Sequence, residues 1–437
     1  MSETTSVKTR IAEKIMSVML TACIIFAGLS AIRIKAPNEA MAAEESANQM
    51  TSEQKSAESV RTEPAVMELS EKETAKDADA ELLNLNTAAF EGMAAEIEKD
   101  EKFGAANTSV SAEELENAGI VTGDSCDLEF SNGLVLCDVP YYNGYYVKNG
   151  EPVMVAYPGN PTVMITYNNI GIWDKENLSD GDTVTIRLRE SGKYGAIQET
   201  LGQAYSFDRA DYDSDEQFSN FRALTGGNLR SEFLYRGASP VDNSRGRAAY
   251  TDGLLKDKGI GFIVDLADSE DNIKTYISEE DFASLYTEAL YENDGIAMLS
   301  MGSGYTGDEY RQKLVSGLKR MVLSEGPVYI HCMEGKDRTG FVCTLLEALA
   351  GASYDEMLSD YMQTYANYYS VTKDGTPEKY LAIADLYFGG FMDCLHGEDC
   401  TLEELESADF TEDAAAYLEE GGMTAEEVES LREFITV

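Results

Sequence analysis

The pattern of apolar and polar residues changes along the chain, and a β pattern occupies residues 119–207. Two apolar runs, residues 153–157 and 162–167, flank residues 158–161, whose sequence PGNP is a strong turn signal. Farther on, apolar residues alternate with polar ones, as a half-buried strand requires, at Val184, Ile186 and Leu188. We therefore predict a small all-β domain, either a sandwich or a barrel. Four tyrosines in it either form a binding surface or pack inside: Tyr141, Tyr142, Tyr145 and Tyr146.

After an acidic linker at residues 208–216, strand and helix patterns alternate over residues 217–437. Residues 262–264 and 327–330 are short apolar runs typical of buried strands. Between them, one helical face carries Tyr310, Leu314, Leu318, Met321 and Val322. Another helix is predicted from about residue 339 to residue 350, where Gly351 ends it. This alternation predicts an α/β domain with a central, mostly parallel sheet flanked by helices.

Residues 43–118 have a different composition, rich in Glu, Ala, Ser and Thr and poor in aromatic residues. Most of this segment buries too little apolar surface to offset its ordering entropy, so we predict an acidic, low-complexity spacer that is disordered or helical. A helix is predicted where four residues share one helical face: Leu83, Phe90, Met93 and Ile97.

Residues 1–42 have the features of an export signal. Lys8, Arg10 and Lys14 precede an apolar run over residues 15–32, and residues 40–42 offer a small-residue cleavage site. Retention of the run as a membrane anchor is the alternative, because its length approaches that of a membrane span. We therefore expect an exported protein, extracellular or at the cell surface.

The charge of the chain restricts its partners. It has 34 basic and 79 acidic residues and a net charge of -45. Such a field opposes binding to nucleic acid and to anionic membranes, so we expect membrane contact only through the N-terminal segment. The seven cysteines suit an oxidising compartment. Two pairs, Cys126 with Cys137 and Cys394 with Cys400, either form disulfides or remain thiols. The sequence leaves the oligomeric state open.

Residues 331–340, with the sequence HCMEGKDRTG, join a predicted strand to a predicted helix. A helix N-terminus presents unpaired N–H groups and the positive end of the helix dipole, and a loop wrapped over it forms an anion cradle. Cys332 faces the middle of this cradle, whose field favours the thiolate. Arg338 can grip two phosphate oxygens. Gly335 and Gly340 allow close backbone approach.

The pattern Cys-x5-Arg-Thr after a histidine resembles the signature of the protein-tyrosine phosphatase superfamily, and the whole loop resembles its bacterial tyrosine-phosphatase branch. The resemblance continues at residues 220–227, where Ala223 replaces a usual Asp. It also includes residues 234–240 and 263–266, after which Ala267 replaces a usual Arg, and Asp360 with Tyr361. It covers about residues 217–437.

The resemblance implies a phosphatase that hydrolyses phosphate monoesters, phosphotyrosine first and phosphoserine or lipid phosphates as alternatives. The substrate is then a phosphorylated protein or a small phosphomonoester. Cys332 attacks phosphorus and forms a phosphocysteine, and no metal or cofactor takes part. The other loop residues are expected to bind the substrate: Met333, Glu334, Gly335, Lys336, Thr339 and Gly340. His331 supports the loop from below, and the Thr339 hydroxyl reaches the sulfur.

Two carboxyl groups are candidates for the general acid. Asp337 lies inside the loop, and the resembling branch is thought to use an Asp there; its structural alternative is to hold the loop shape. Asp265 ends a predicted strand and points toward the same edge; its structural alternative is to cap or to pair with the supporting residue Arg236.

A different class of function is a binding protein whose phosphatase-like domain is inactive, which the replacements Ala223 and Ala267 suggest. The intact Cys332 and Arg338 argue against it. Cysteine-protease chemistry and a histidine-ligated metal are both disfavoured, because the chain has only two histidines, His331 and His396.

Overall fold

The computed structural model describes residues 92–302, 304–397 and 400–437. The predicted export segment and most of the predicted spacer, with Leu83 and Phe90, lie outside these residues. Among the residues described, no helix is both long and apolar enough to cross a bilayer.

The first part of the described chain is a closed β-barrel with the strand order β1-β2-β6-β5-β4-β3-β7, closed by pairing of β7 with β1. Only β4 and β5 pair in parallel among these strands. The strands are β1 (Met93–Lys99), β2 (Ala106–Thr108), β3 (Ser125–Phe130), β4 (Val135–Tyr142), β5 (Pro152–Val155), β6 (Met164–Tyr167) and β7 (Thr183–Glu190). Three short helices accompany them: α1 (Ala112–Asn117), α2 (Ile172–Lys175) and α3 (Gly195–Leu201).

The barrel begins earlier than its predicted boundary at residue 119. Strands β1 and β2 and helix α1 lie within the predicted spacer, and the predicted helix through Met93 and Ile97 is wrong, because both residues belong to β1. Residues four apart share a face in a helix and also in a strand. The deciding signal is the alternation of buried Ala95 and Ile97 with exposed Glu96 and Ala94.

The structure decides between the alternatives left open for two of the tyrosines and for the cysteine pairs. Tyr141 and Tyr142 are buried, so these two pack inside. Cys126 and Cys400 carry free thiols, so neither of the two considered disulfides is formed. Burial raises the pKa of the Cys126 thiol far above its usual value, with Asp124 and Asp127 adding to the effect.

The second part of the described chain is an α/β domain, as predicted. Its sheet has the order β11-β10-β12-β9-β8, in which β8 and β9 are antiparallel and the other neighbours are parallel. The strands are β8 (Arg222–Ala223), β9 (Leu234–Gly237), β10 (Phe262–Asp265), β11 (Ile296–Met298) and β12 (Val328–His331).

Helices cover both faces of this sheet. They are α4 (Asp215–Phe218), α5 (Ala248–Lys258), α6 (Glu270–Ile277), α7 (Leu285–Glu292), α8 (Asp308–Val322), α9 (Asp337–Leu349), α10 (Tyr354–Tyr369), α11 (Pro377–Ile383), α12 (Gly390–Leu395), α13 (Leu402–Ser407), α14 (Thr411–Glu420) and α15 (Ala425–Ile435), with a π-helical turn over Ala384–Gly389. In the central strand β12, Val328 and Ile330 pack with α9, whereas Tyr329 belongs to the core on the opposite face. Helix α9 is buried from Thr339 to Leu349.

The barrel packs on the α/β domain. Tyr142, Val153 and Val155 of the barrel belong to the same apolar core as the centre of the α/β domain. Lys148 forms an ion pair of 3.2 Å with Asp393. Residues 202–214 then lead from α3 into the α/β domain.

Candidate active site

The predicted loop lies where the central strand β12 ends and helix α9 begins. Cys332 follows the last residue of β12 and is 4% exposed. The N-cap residue of α9, Lys336, makes no side-chain capping hydrogen bond. The first N–H groups of a helix need partners, so those of α9 are available to an anion held next to the sulfur.

The tight path of the loop depends on Gly335. Its φ is +67°, and a Cβ atom there would lie 2.3 Å from the backbone carbon and oxygen of Gly237 on β9. The Gly335 carbonyl accepts hydrogen bonds from Arg236 Nη2 at 2.8 Å and Asn220 Nδ2 at 3.0 Å. A side chain at position 335 would therefore move the loop away from both donors.

The substitution Gly335→Ala is expected to cost roughly 1–3 kcal/mol of folding stability, from backbone strain. Because the loop must also shift, kcat/KM for p-nitrophenyl phosphate should fall about 100-fold. Gly253→Ala is the matched control, since this helical glycine in α5 has open space around it and an ordinary φ. An active Gly335→Ala enzyme with wild-type stability would contradict this role.

Next to the loop, a fully buried arginine and a largely buried one share one carboxylate. Arg236 is fully buried, and both its Nη1 and the Nε of Arg222 bind Asp360, the latter at 2.7 Å. Burial would raise the pKa of Asp360, but the two guanidinium groups outweigh it and hold the pKa below its usual value. The suggested pairing of Arg236 with Asp265 is therefore wrong; its carboxylate partner is Asp360.

His331, the last residue of β12, is buried and contacts the backbone of the loop. Its Nδ1 lies 3.2 Å from the Cys332 carbonyl oxygen, and its ring stacks on Tyr329. Burial lowers the pKa of His331 to about 4, so the ring is neutral at pH 7.

Arg338 and Thr339, on the first turn of α9, differ in their contacts. Arg338 Nη1 donates a hydrogen bond of 2.8 Å to the carbonyl of Met301, in the segment between β11 and α8. The Thr339 hydroxyl is buried without a hydrogen-bond partner in the described structure, so its predicted contact with the Cys332 sulfur is not formed here. Gly340 packs tightly, since a Cβ there would lie 2.6 Å from the Tyr361 ring.

Lys336 and Asp337 form the outer part of the loop. The Lys336 ammonium lies 3.5 Å from Asp337 Oδ2 and 5.9 Å from the ring centroids of Tyr365 and Tyr387. The Asp337 side chain is 43% exposed, yet its Oδ1 is buried and accepts no hydrogen bond in the described structure. Burial of this end raises the pKa of Asp337.

Asp265 is completely buried and holds the backbone of the next segment. Its Oδ1 accepts hydrogen bonds from the N–H groups of Ala267 at 2.9 Å and Asp268 at 3.0 Å. Burial raises its pKa to about 6. Burial, with the added charge of Asp265, raises the pKa of Asp268 to about 7. Asp268 was not predicted from the sequence, although it follows the end of β10, where functional side chains of parallel sheets collect.

Met333 and Glu334 follow Cys332 in the loop, and residues of other segments hold both of them. Its carboxylate receives hydrogen bonds from the Tyr205 hydroxyl and, at 3.3 Å, from Arg245 Nε. The carbonyl of Met333 accepts from the Ser239 N–H at 3.0 Å. The Met333 backbone and the Glu334 side chain are thus both held by residues that lie outside the loop.

Comparison with known proteins gives the same family as the one that the loop sequence resembles. The model of the tyrosine phosphatase family matches residues 216–437, just over half of the chain. Among proteins of curated function, none matches this chain.

Solved structures similar to this chain include two of TpbA from P. aeruginosa. One is 18% identical and covers 54% of this chain and 98% of its own, with a TM-score of 0.22. The other, a cysteine-to-serine variant in complex with phosphotyrosine, is 20% identical and covers 49% and 93%, with a TM-score of 0.21.

A third similar structure is an uncharacterised conserved protein from Thermotoga maritima, 14% identical, with a TM-score of 0.21. The match covers 23% of this chain and only 37% of that protein. The assignment rests on the family match, which includes the whole loop from His331 to Gly340. The chain belongs to the tyrosine phosphatase family, and its α/β domain carries the family match.

Proposed function

We propose that the protein hydrolyses phosphotyrosine monoesters through a phosphocysteine on Cys332. The observation that carries this proposal is the position of Cys332 beside the uncapped N-terminus of α9. Backbone N–H groups there stabilise the charge that spreads over the equatorial phosphate oxygens. Arg338, six residues after Cys332, adds a guanidinium that can hold phosphate oxygens, and its Nη1 is bound to the Met301 carbonyl.

The reaction has two displacement steps. The Cys332 thiolate forms the S–P bond while the P–O bond to the tyrosyl oxygen breaks, and an acid protonates that oxygen. Water then attacks phosphorus and gives a proton to the conjugate base of the same acid. The S–P bond breaks, and phosphate and the thiolate are released.

We assign the acid to Asp337. It is partly exposed at the outer side of the loop, and burial of one oxygen raises its pKa, which favours the protonated form that an acid needs. Asp265 is the weaker candidate, because it is completely buried and one of its oxygens already binds two backbone N–H groups.

Asp337→Asn is expected to slow hydrolysis of phenyl phosphate by about 10²–10⁴-fold. It should slow hydrolysis of p-nitrophenyl phosphate much less, because p-nitrophenolate leaves without protonation. The matched control is Asp265→Asn, whose amide oxygen can still accept backbone hydrogen bonds, so its effect should be equal for both esters. Equal slowing of both esters by Asp337→Asn would remove it as the acid.

Aromatic residues near Lys336 favour an aryl ester. The half-buried rings of Tyr369 and Tyr387 stack on the buried ring of Tyr365, with centroids 5.6 Å and 6.1 Å from it. Lys336 is already paired with Asp337 and faces two of these rings, which disfavours a second phosphate group on the substrate. Phosphate release from phosphotyrosyl, phosphoseryl and phosphoinositide panels tests this; we expect the phosphotyrosyl peptides to give the highest kcat/KM.

The alternative of an inactive binding protein rests on Ala223 and Ala267. Ala223 lies on β8, and Ala267 contributes its N–H to Asp265. Neither belongs to the loop that holds Cys332. Wild-type turnover of p-nitrophenyl phosphate no faster than that of Cys332→Ser would favour the binding protein.

A further inference from the structure

Residues 202–214 connect the barrel to the phosphatase domain, and one of them reaches the catalytic loop. We call this segment the strap. Its Tyr205 hydroxyl donates a hydrogen bond to Glu334 Oε1, two residues after Cys332. The match to the tyrosine phosphatase family begins at residue 216, so Tyr205 lies outside the family domain.

Several aromatic and cationic groups fix Tyr205 in this position. Its ring lies parallel to that of Tyr368, with centroids 4.8 Å apart, and edge-on to Phe207 at 5.4 Å. The Arg247 guanidinium lies 5.2 Å from the Tyr205 ring centroid and 4.5 Å from that of Tyr368. The Tyr368 hydroxyl in turn donates to the Glu334 carbonyl at 2.9 Å. The strap and α10 therefore hold both the backbone and the side chain of Glu334.

Glu334 is charged in this setting. Burial would raise its pKa, but Lys336, the Tyr205 hydroxyl and Arg245 outweigh burial and lower it. A carboxylate at this position of a phosphate-binding loop repels a phosphate dianion if it turns toward the cradle. The hydrogen bonds from Tyr205 and Arg245 hold it against the strap and Arg245 instead.

We propose that Tyr205 is a positioning residue that holds the Glu334 carboxylate away from the bound phosphate, so that the strap sets the affinity of the catalytic loop for dianionic substrates. The inference rests on the proposed phosphatase function. It gives the segment next to the barrel a role in substrate binding, from outside the family domain.

The test is a double-mutant cycle on the full chain. Tyr205→Phe keeps the ring stack on Tyr368 and removes only the hydroxyl. A hydrogen bond to a charged group contributes enough that its loss should raise KM for p-nitrophenyl phosphate about tenfold, and the inhibition constant of inorganic phosphate by the same factor. We expect kcat to change less than about twofold, because the hydroxyl does not take part in either displacement.

In the Glu334→Gln background the neutral amide no longer repels phosphate, so Tyr205→Phe should leave KM unchanged. A merely structural role for Tyr205 would raise KM equally in both backgrounds, which would overturn the inference. The matched control is Tyr286→Phe, since the Tyr286 hydroxyl of α7 donates to the Ile260 carbonyl, between α5 and β10, at 2.8 Å. It should not change KM.

The failure of this inference and that of the proposed function are separable. A wild-type enzyme without turnover would contradict the phosphatase proposal before any strap variant is measured. An active wild type whose KM and phosphate inhibition are unaffected by Tyr205→Phe would contradict only the role of the strap.

Discussion

Replacing Cys332 with serine is expected to lower phosphate release from p-nitrophenyl phosphate by a factor of about 10⁴ or more. A serine hydroxyl is far less acidic than a thiol and is the weaker nucleophile. The substituted enzyme should still bind substrate, because the backbone cradle and Arg338 remain. Initial rates of wild type and variant at saturating substrate measure the loss.

Cys400→Ser is the matched control for this substitution. Cys400 carries a free, partly exposed thiol, and it lies outside the catalytic loop. Its replacement should leave kcat within about twofold, since surface substitutions away from a site have small effects. Equal activity of Cys332→Ser and Cys400→Ser would exclude Cys332 as the nucleophile.

The largest loss of stability is expected from Asp360→Asn. This change leaves the buried cations Arg222 and Arg236 without their shared carboxylate, and breaking such a buried pair costs roughly 3–5 kcal/mol. For a domain of this size, Tm should fall by roughly 6–20 °C in thermal unfolding followed by circular dichroism. Activity should fall as well, because Arg236 also holds the Gly335 carbonyl.

Asp355→Asn, on the exposed face of the same helix α10, is the control and should change Tm by less than about 2 °C.

The pH dependence of the stability gives an independent check on the role of Asp360. The pKa of Asp360 lies below its usual value, so its contribution to stability is present above about pH 4 and is lost as the pH falls through its folded-state pKa. The difference in Tm between wild type and Asp360→Asn should therefore narrow below about pH 4. A constant difference down to pH 2 would contradict the charge argument.

Local patterns in the sequence predicted the α/β domain and its loop, because strand, loop and helix are contiguous there. The start of the barrel was missed at Met93 and Ile97, whose spacing suits both a helix and a strand. The roles of Asp360 and Tyr205 depend on contacts across more than a hundred residues, to Arg236 and Glu334. No spacing rule reveals such pairs. Residues 220–222 and Asp360 stood out only as parts of a family resemblance, and the structure supplies their physical role in holding Gly335.

The same limit applies to the carboxyl groups. The position of Asp265 after β10 suggested a second acid, but only its burial and its two backbone hydrogen bonds favour a structural role. Asp337 is distinguished by an exposed side chain with one buried oxygen, a property of the folded loop and not of its sequence.

A covalent intermediate on Cys332 is the central claim, and acid quenching during turnover of a phosphotyrosyl peptide labelled with ³²P tests it most directly. The account predicts that label becomes attached to the protein, that peptide mapping places it on Cys332, and that Cys332→Ser carries none. Turnover without protein-bound label, or label that persists in Cys332→Ser, would contradict it.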